Sequence, residues 1–203
     1  MRAALVIAIL TFPALATIVD RIAVAIGNQV ITDSEIDQRI RLTAFENGEQ
    51  PDFSAASRKR ATQRLIDEKL VEHEMSIGRY PGMPDDRKPA LVSAYEKNGA
   101  AKLDAELAAR GLTREDLMND LARQQDLLTF LNLRFRPAVQ VNEQDVQSYY
   151  RQHFAQANVP LNEVRSQIEQ KLTDERADSE LDAWLKRQRA RTRIDYLEKD
   201  LEP

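Results

Sequence analysis

Between Arg21 and Ile40 the apolar pattern of this chain changes period, from alternation to a helical repeat, within one uninterrupted stretch, RIAVAIGNQVITDSEIDQRI. Arg21 to Ile26 reads as a β-rich strand, Gly27-Asn28 as a two-residue turn, and Gln29 to Thr32 as the return strand. Thr32 is placed to cap the next helix, with Glu35 reaching back to the cap's own N–H, and Ile31 and Ile36 stand at staple positions on either side. A lone two-stranded hairpin is marginal in water, so this opening demands a third strand. The alternating ending Thr192-Arg193-Ile194-Asp195-Tyr196-Leu197 is the candidate. Its pairing with the hairpin would make the two ends of the chain close one domain.

Between these ends the period is helical. Asp33 to about Glu46 is expected to bury Ile36, Ile40 and Ala44. Ser54 to Ile77 follows, with Leu65, Ile66 and Leu70 inside and Gly78 as its stop. Asp85 to Lys97 is expected to turn Leu91, Val92 and Tyr95 inward, and Ala100 to Arg110 to bury Leu103 and Leu107. Thr113, with Asp116, caps a helix whose stripe Leu117, Leu121, Leu128 and Leu131 runs to Phe135 and stops before Pro137. Asn142 caps a helix to Phe154 with Val146, Tyr149 and Tyr150 inward. Leu161 to about Arg191 reads as one long helix, its stripe interrupted by polar Asp174 to Asp178, a bowed or solvated segment. The expected fold is mainly α with a small antiparallel β element: an N-terminal β-hairpin joined by the C-terminal strand, packed with a multi-helix bundle and one long C-terminal helix.

The first residues have a different logic. Met1 to Ala16 carries one charge, Arg2, then an apolar run Ala3 to Phe12, then Pro13, with Ala14 and Ala16 at the −3 and −1 positions of a cleavage point. That is the three-part pattern of a secretory signal peptide. An uncleaved anchor or a buried N-terminal helix is the alternative. A spanning helix needs about 20 apolar residues, and Asp20-Arg21 arrives too soon, so no stable membrane span is expected after cleavage. The absence of cysteine excludes a disulfide, a thiolate nucleophile and a lipoprotein lipobox. Export without cysteine fits a soluble protein of the bacterial periplasm.

Charged side chains make up 31% of the chain with mixed signs and a net charge of −4, a solvated helical surface and no nucleic-acid footprint. His73 and His153 are the two histidines, and neither has a second histidine one turn away, so no metal site is expected. No lysine-containing phosphate loop and no nucleophile–histidine–acid arrangement can be assembled, and Asp85-Asp86 read as a helix opening. No cofactor and no catalytic residue is expected. The basic run Lys186, Arg187, Arg189, Arg191 and Arg193 is either a solvated helix end or a weak contact with an anionic envelope surface. The aromatics Phe130, Phe135, Tyr149, Tyr150 and Phe154 are either core or the lining of a polypeptide-binding cleft.

Several short segments, taken in order, resemble one family. They are Val19-Asp20-Arg21-Ile22, Val30-Ile31-Thr32, Glu35-Ile36-Asp37, Gly111-Leu112-Thr113-Arg114-Glu115-Asp116-Leu117, Val141 to Tyr150, Val159 to Val164, and Trp184 followed by Tyr196. The chain resembles the SurA-type periplasmic chaperones, with their trigger-factor-like peptide-binding core. The resemblance implies a leader at 1–16 and a chaperone core at 17–203, divided into a helical lobe 33–136, a linker helix 142–154, and a closing helix and strand 161–197. In that family a parvulin isomerase domain is inserted between the segments ending at Phe154 and starting at Val159. Here only Ala155 to Asn158 stand between them. The resemblance therefore implies an ATP-independent chaperone for unfolded or outer-membrane polypeptides, without isomerase chemistry. A prolyl isomerase relative with residual activity, and a structural or adaptor protein of the envelope, are the competing expectations.

Overall fold

The computed structural model describes residues 20–96, 99–154 and 159–202; the leader with Ala14 and Ala16 lies outside them. It is mainly α with a small antiparallel sheet. Strands β1 (Ile22–Ile26) and β2 (Gln29–Thr32) form the hairpin, with Gly27 at φ 56 in its turn, a left-handed value that glycine adopts without strain. Strand β3 (Ile194–Tyr196) pairs antiparallel with the other side of β1, giving the order β2-β1-β3 and setting Val24 opposite both Ile31 and Tyr196. The backbone N–H of Gly27 donates to the Arg193 carbonyl at 3.0 Å and that of Leu197 to Ala23 at 2.9 Å, so the closing pairing continues past both ends of β3.

Helix α1 (Asp33–Glu46) starts from the expected capping box: Thr32 Oγ1 accepts the Glu35 N–H at 3.3 Å, and Glu35 Oε2 accepts the Thr32 N–H at 2.9 Å. Ile36 and Ile40 of α1 and Leu65, Ile66 and Leu70 of α2 (Ala55–Gly78) cover the sheet, burying Ala23, Val24, Ile26 and Ile31. Leu201, in a single 3-10 turn at Lys199–Leu201, is fully buried in the same cluster. No periodicity marks Leu201 in the sequence, because it stands alone past the last strand.

The end of α2 differs from expectation. Gly78 is its last residue, and Arg79 takes the left-handed cap at φ 53. A Cβ at Gly78 would stand 2.6 Å from Tyr80 Cε2. Glycine is required there so that the Tyr80 ring can fold back onto the helix.

The expected helix Asp85–Lys97 is reduced to α3 (Lys88–Ser93). Arg87 makes no side-chain cap bond, the Asp85 carboxylate is taken by Lys88 Nζ at 2.6 Å, and Pro89 fits only the first turn. Val92 is buried, whereas Tyr95 is 38% exposed rather than inward and leans on Phe45 at 6.0 Å. Helices α4 (Ala100–Ala108) and α5 (Arg114–Arg134) complete a second cluster of Leu42, Val92, Leu103, Leu107, Leu112 and Leu117. Along α5 the expected stripe breaks at Leu128, which is 50% exposed, because the helix turns its Asp120, Leu127 and Phe130 positions toward its neighbours instead.

Helix α6 (Glu143–His153) opens from a capping box of Asn142 and Asp145 and packs Val146 against Val164 and Ile168 of α7 (Leu161–Arg191). Tyr150 Oη donates to the Val159 carbonyl at 2.7 Å, holding the two helix ends together. The polar stretch of α7 is docked on one face and solvated on the other, where Glu175 and Asp178 are exposed. Asp174 pairs with Arg136, Arg176 pairs with Asp145 at 2.9 Å, and Ala177, which follows them, is 1% exposed.

A buried ionic junction joins α1, α2 and α5. Asp120, fully buried, accepts from Arg39 at 2.7 Å, Arg123 at 3.1 Å and Gln124 at 3.0 Å, while Arg39 also reaches Glu68 at 2.6 Å.

Leu201→Ala removes a fully buried anchor of the terminal segment, so it is expected to cost about 2–5 kcal/mol. Urea unfolding checks this. A midpoint unchanged from the parent would show that the last turn does not help close the sheet.

Candidate functional site

Three helices that pack on the sheet or the aromatic core leave a gap between them. Val71 and Met75 of α2, Leu127 of α5, and Leu181 and Leu185 of α7 line a groove of about 460 Å³, with Tyr80 at one end. That volume falls within the roughly 300–1,000 Å³ of ordinary ligand sites, which are mostly apolar with a few placed polar groups. Val71 and Met75 are one turn apart on α2, as are Leu181 and Leu185 on α7, so each wall is a helical i, i+4 pair.

Two arginines hold the walls. Arg189 Nε donates to Asp67 at 2.7 Å and its Nη2 to the Gln63 carbonyl at 2.7 Å, clamping α7 to α2. Arg134 pairs with Glu74 at 2.8 Å, donates to Tyr80 Oη at 3.1 Å, and lies over Phe130, Phe135 and Trp184 with its guanidinium carbon 5.7, 5.8 and 5.7 Å from the ring centroids. These are the distances of cation–π contacts. Phe130 is the hub of the aromatic core, edge-on to Tyr80 at 5.2 Å, to Trp184 at 5.3 Å and to Phe135 at 5.5 Å. Asp126 fixes the loop beyond Tyr80 by accepting the Met83 N–H at 2.5 Å.

The aromatics singled out in the sequence therefore do not form one surface. Phe130 and Phe135, 0% and 7% exposed, are core and offer no contact face; they support Tyr80 from behind. Tyr149, Tyr150 and Phe154 belong to a separate cluster between α6 and α7, half-buried, with Tyr150 stacked on Phe154 at 6.2 Å and Tyr149 against His153 at 4.2 Å. The basic run is also divided. Arg189 is committed to the α2 clamp and Arg193 pairs with Asp195 at 2.8 Å, whereas Lys186, Arg187 and Arg191 are exposed. Arg189 is thus unavailable to an envelope surface. The groove residues escaped sequence reading because Leu181 and Leu185 look like any core stripe.

Charge is distributed unevenly around these sites. At the start of α6, Glu143 grips Arg165 with both oxygens, at 2.6 and 2.9 Å, and this holds its carboxyl down to about 2. Burial raises the Glu68 carboxyl above the usual glutamate value, and Arg39 and Arg123 pull it back in part. Among the described residues no group of three His, Cys, Asp or Glu side chains could hold a metal ion, and no helix is long and apolar enough to cross a membrane. His73 is exposed on α2.

No family model matches this chain. It is similar to the curated protein Chaperone SurA of Pseudomonas putida, 27% identical over 139 residues, which is 64% of this chain and 32% of that protein. It is similar also to Chaperone SurA of Pseudomonas fluorescens, 25% identical over 140 residues, again 64% of this chain and 32% of the relative. The chain thus spans about a third of the length of the curated relatives it matches. The groove presents aliphatic and aromatic surface framed by charge, a chemistry suited to reversible burial of apolar side chains.

A raised folded-state value for Glu68 means that its contribution to stability is full below the unfolded value of 4.5 and is lost as pH rises through the folded midpoint. Carboxyl-carbon NMR titration is expected to place the Glu68 midpoint above those of exposed glutamates. A midpoint at or below theirs would mean that the arginine pair outweighs burial.

Proposed function

We propose that this protein is an ATP-independent chaperone of the periplasm that holds unfolded or outer-membrane polypeptides without isomerase chemistry. The observation that carries the reading is the apolar groove walled by Val71, Met75, Leu127, Leu181 and Leu185. The similarity to two proteins named Chaperone SurA supports it. In this reading residues 1–16 are a leader removed on export, cut after Ala16, and 17–203 act as the chaperone core.

Capture would proceed by burying client aliphatic and aromatic side chains between α2, α5 and α7. Each large side chain fully buried contributes about 1.5–3 kcal/mol before ordering costs. A few such contacts give micromolar, reversible binding. Release follows when the client folds or is passed on. Tyr149, Tyr150 and Phe154 supply a second apolar contact on the α6–α7 arm. Lys186, Arg187 and Arg191 remain free for a weak contact with an anionic envelope surface.

Leu127 is half-buried on the groove wall, so replacing it tests the site with little risk to the core. The protein is expected to suppress aggregation of a denatured outer-membrane barrel at near-stoichiometric ratio, with little effect of salt. Leu127→Gln should raise the concentration needed by about tenfold, the loss of one buried aliphatic side chain. A folded protein that fails to slow aggregation at several-fold excess would favour an adaptor role instead.

The short connection between Phe154 and Val159 motivates a second expectation. A proline-peptide isomerisation assay is expected to show the uncatalysed rate, because Ala155 to Asn158 cannot shape a pocket around proline. Acceleration that co-purifies with the protein to homogeneity would restore the isomerase reading.

A further inference from the structure

We infer that the groove discriminates among apolar polypeptide segments by charge, taking those with a lysine or arginine beside the apolar run and seating that residue at the Tyr80 end. The inference rests on the chaperone reading and deepens it by naming the class of client segment.

The argument comes from which rim charges are already spent. Along α2 the rim begins with Arg64 and continues through Asp67, Glu68 and Glu72. Asp67 is neutralised by Arg189 at 2.7 Å and Glu68 by Arg39 at 2.6 Å. On the α5 side Arg123 is held by buried Asp120 at 3.1 Å. Two carboxylates remain under-neutralised, Glu72 on α2 and Asp126 on α5. The nearest cation to Glu72 is Lys69, at 3.9 Å, and its side chain is 41% exposed. Asp126 is engaged by the Met83 N–H, and among the described residues no lysine or arginine lies within ion-pair distance of it.

These two carboxylates share one end. Asp126 is tied to the loop that follows Tyr80, and Glu72 is one turn from Ser76 on the same stretch of α2. Arg64 lies eight positions before Glu72, or about 12 Å along the helix. Among the residues lining the groove, the Tyr80 end therefore carries Glu72 and Asp126 and the other end Arg64, with Arg79 exposed just outside the lining. Nearby Arg134 does not cancel this, because Glu74 holds it at 2.8 Å. A client cation at the Tyr80 end would face the carboxylates of Glu72 on α2 and Asp126 on α5, while its apolar neighbours lie on Leu127, Leu181 and Leu185 above the buried Val71 and Met75. An acidic flank in the same place would meet like charge.

The test uses the full chain and three fluorescent peptides that share one aliphatic and aromatic core but carry lysine, glutamine or glutamate flanks. Fluorescence anisotropy at low salt is expected to rank them in that order, with lysine flanks about five-fold tighter than glutamine flanks, the scale of one or two partly exposed ion pairs. Salt at about 0.5 M should erase the ranking through screening. Glu72→Lys should reduce the ratio of lysine-flanked to glutamine-flanked affinity to less than about two-fold; Asp126→Asn should act in the same direction. Equal affinity for all three peptides, or a ranking that survives both substitutions, overturns the inference. Leu127→Gln separates this failure from failure of the chaperone reading. If it weakens every peptide while the flanks make no difference, the groove still binds clients and only the charge preference is lost. If it leaves every peptide unchanged, the groove is not the binding site and both readings fall.

Discussion

The pairing of β1 on both sides is the interaction on which the rest of this structure depends. One five-residue strand, Ile22–Ile26, receives β2 from the adjacent hairpin and β3 from the far end of the chain. A hairpin alone is marginal, and the third strand makes it a platform on which helices can pack. The third strand can arrive only if α7 returns the chain to the sheet. At about 1.5 Å per residue its 31 residues span about 46 Å, enough to carry the chain from the α6 contact back to β1. The length of α7 and the closure of the sheet are thus one constraint.

The groove follows from that constraint. Because α7 must end beside β1, it crosses α2 near Asp67 and the aromatic core near Trp184, and Arg189 and Arg134 set the spacing at those points. Bulky rings keep α5 and α7 from closing fully, so Leu127, Leu181 and Leu185 stay half-covered between the crossing points, over a floor of buried Val71 and Met75. The buried junction of Arg39, Glu68, Asp120 and Arg123 ties α1, α2 and α5 together through one set of ion pairs. Desolvating charged groups offsets much of their attraction, but removing one partner would leave a buried charge orphaned.

Local rules in the sequence accounted for most of the elements. Three capping boxes, at Thr32, Thr113 and Asn142, are each a contact within one turn and need no tertiary partner to be read. The same holds for the Gly27-Asn28 turn and for the closing strand, whose pairing followed from the hairpin's need for a third strand. Where local rules competed they misled. Asp85 and Asp86 looked like a helix opening, but Lys88 and Pro89 set a later and shorter start. Gly78 looked like a stop, but its role is the space that the Tyr80 ring occupies.

The site divides in the same way. Sequence by itself determined the helix and strand periods, the caps and the aliphatic faces, because each is a relation between residues a few positions apart. It could not determine which apolar positions would stay uncovered, or which charges would be spent. Phe130 and Leu127 are both apolar residues of α5, yet one is the hub of the core and the other a groove wall. Arg189 and Arg187 lie in one basic run, yet one clamps α2 and the other faces solvent. Those outcomes depend on where α2, α5 and α7 cross, and the crossing was decided only when packing and the closure of the sheet were satisfied together.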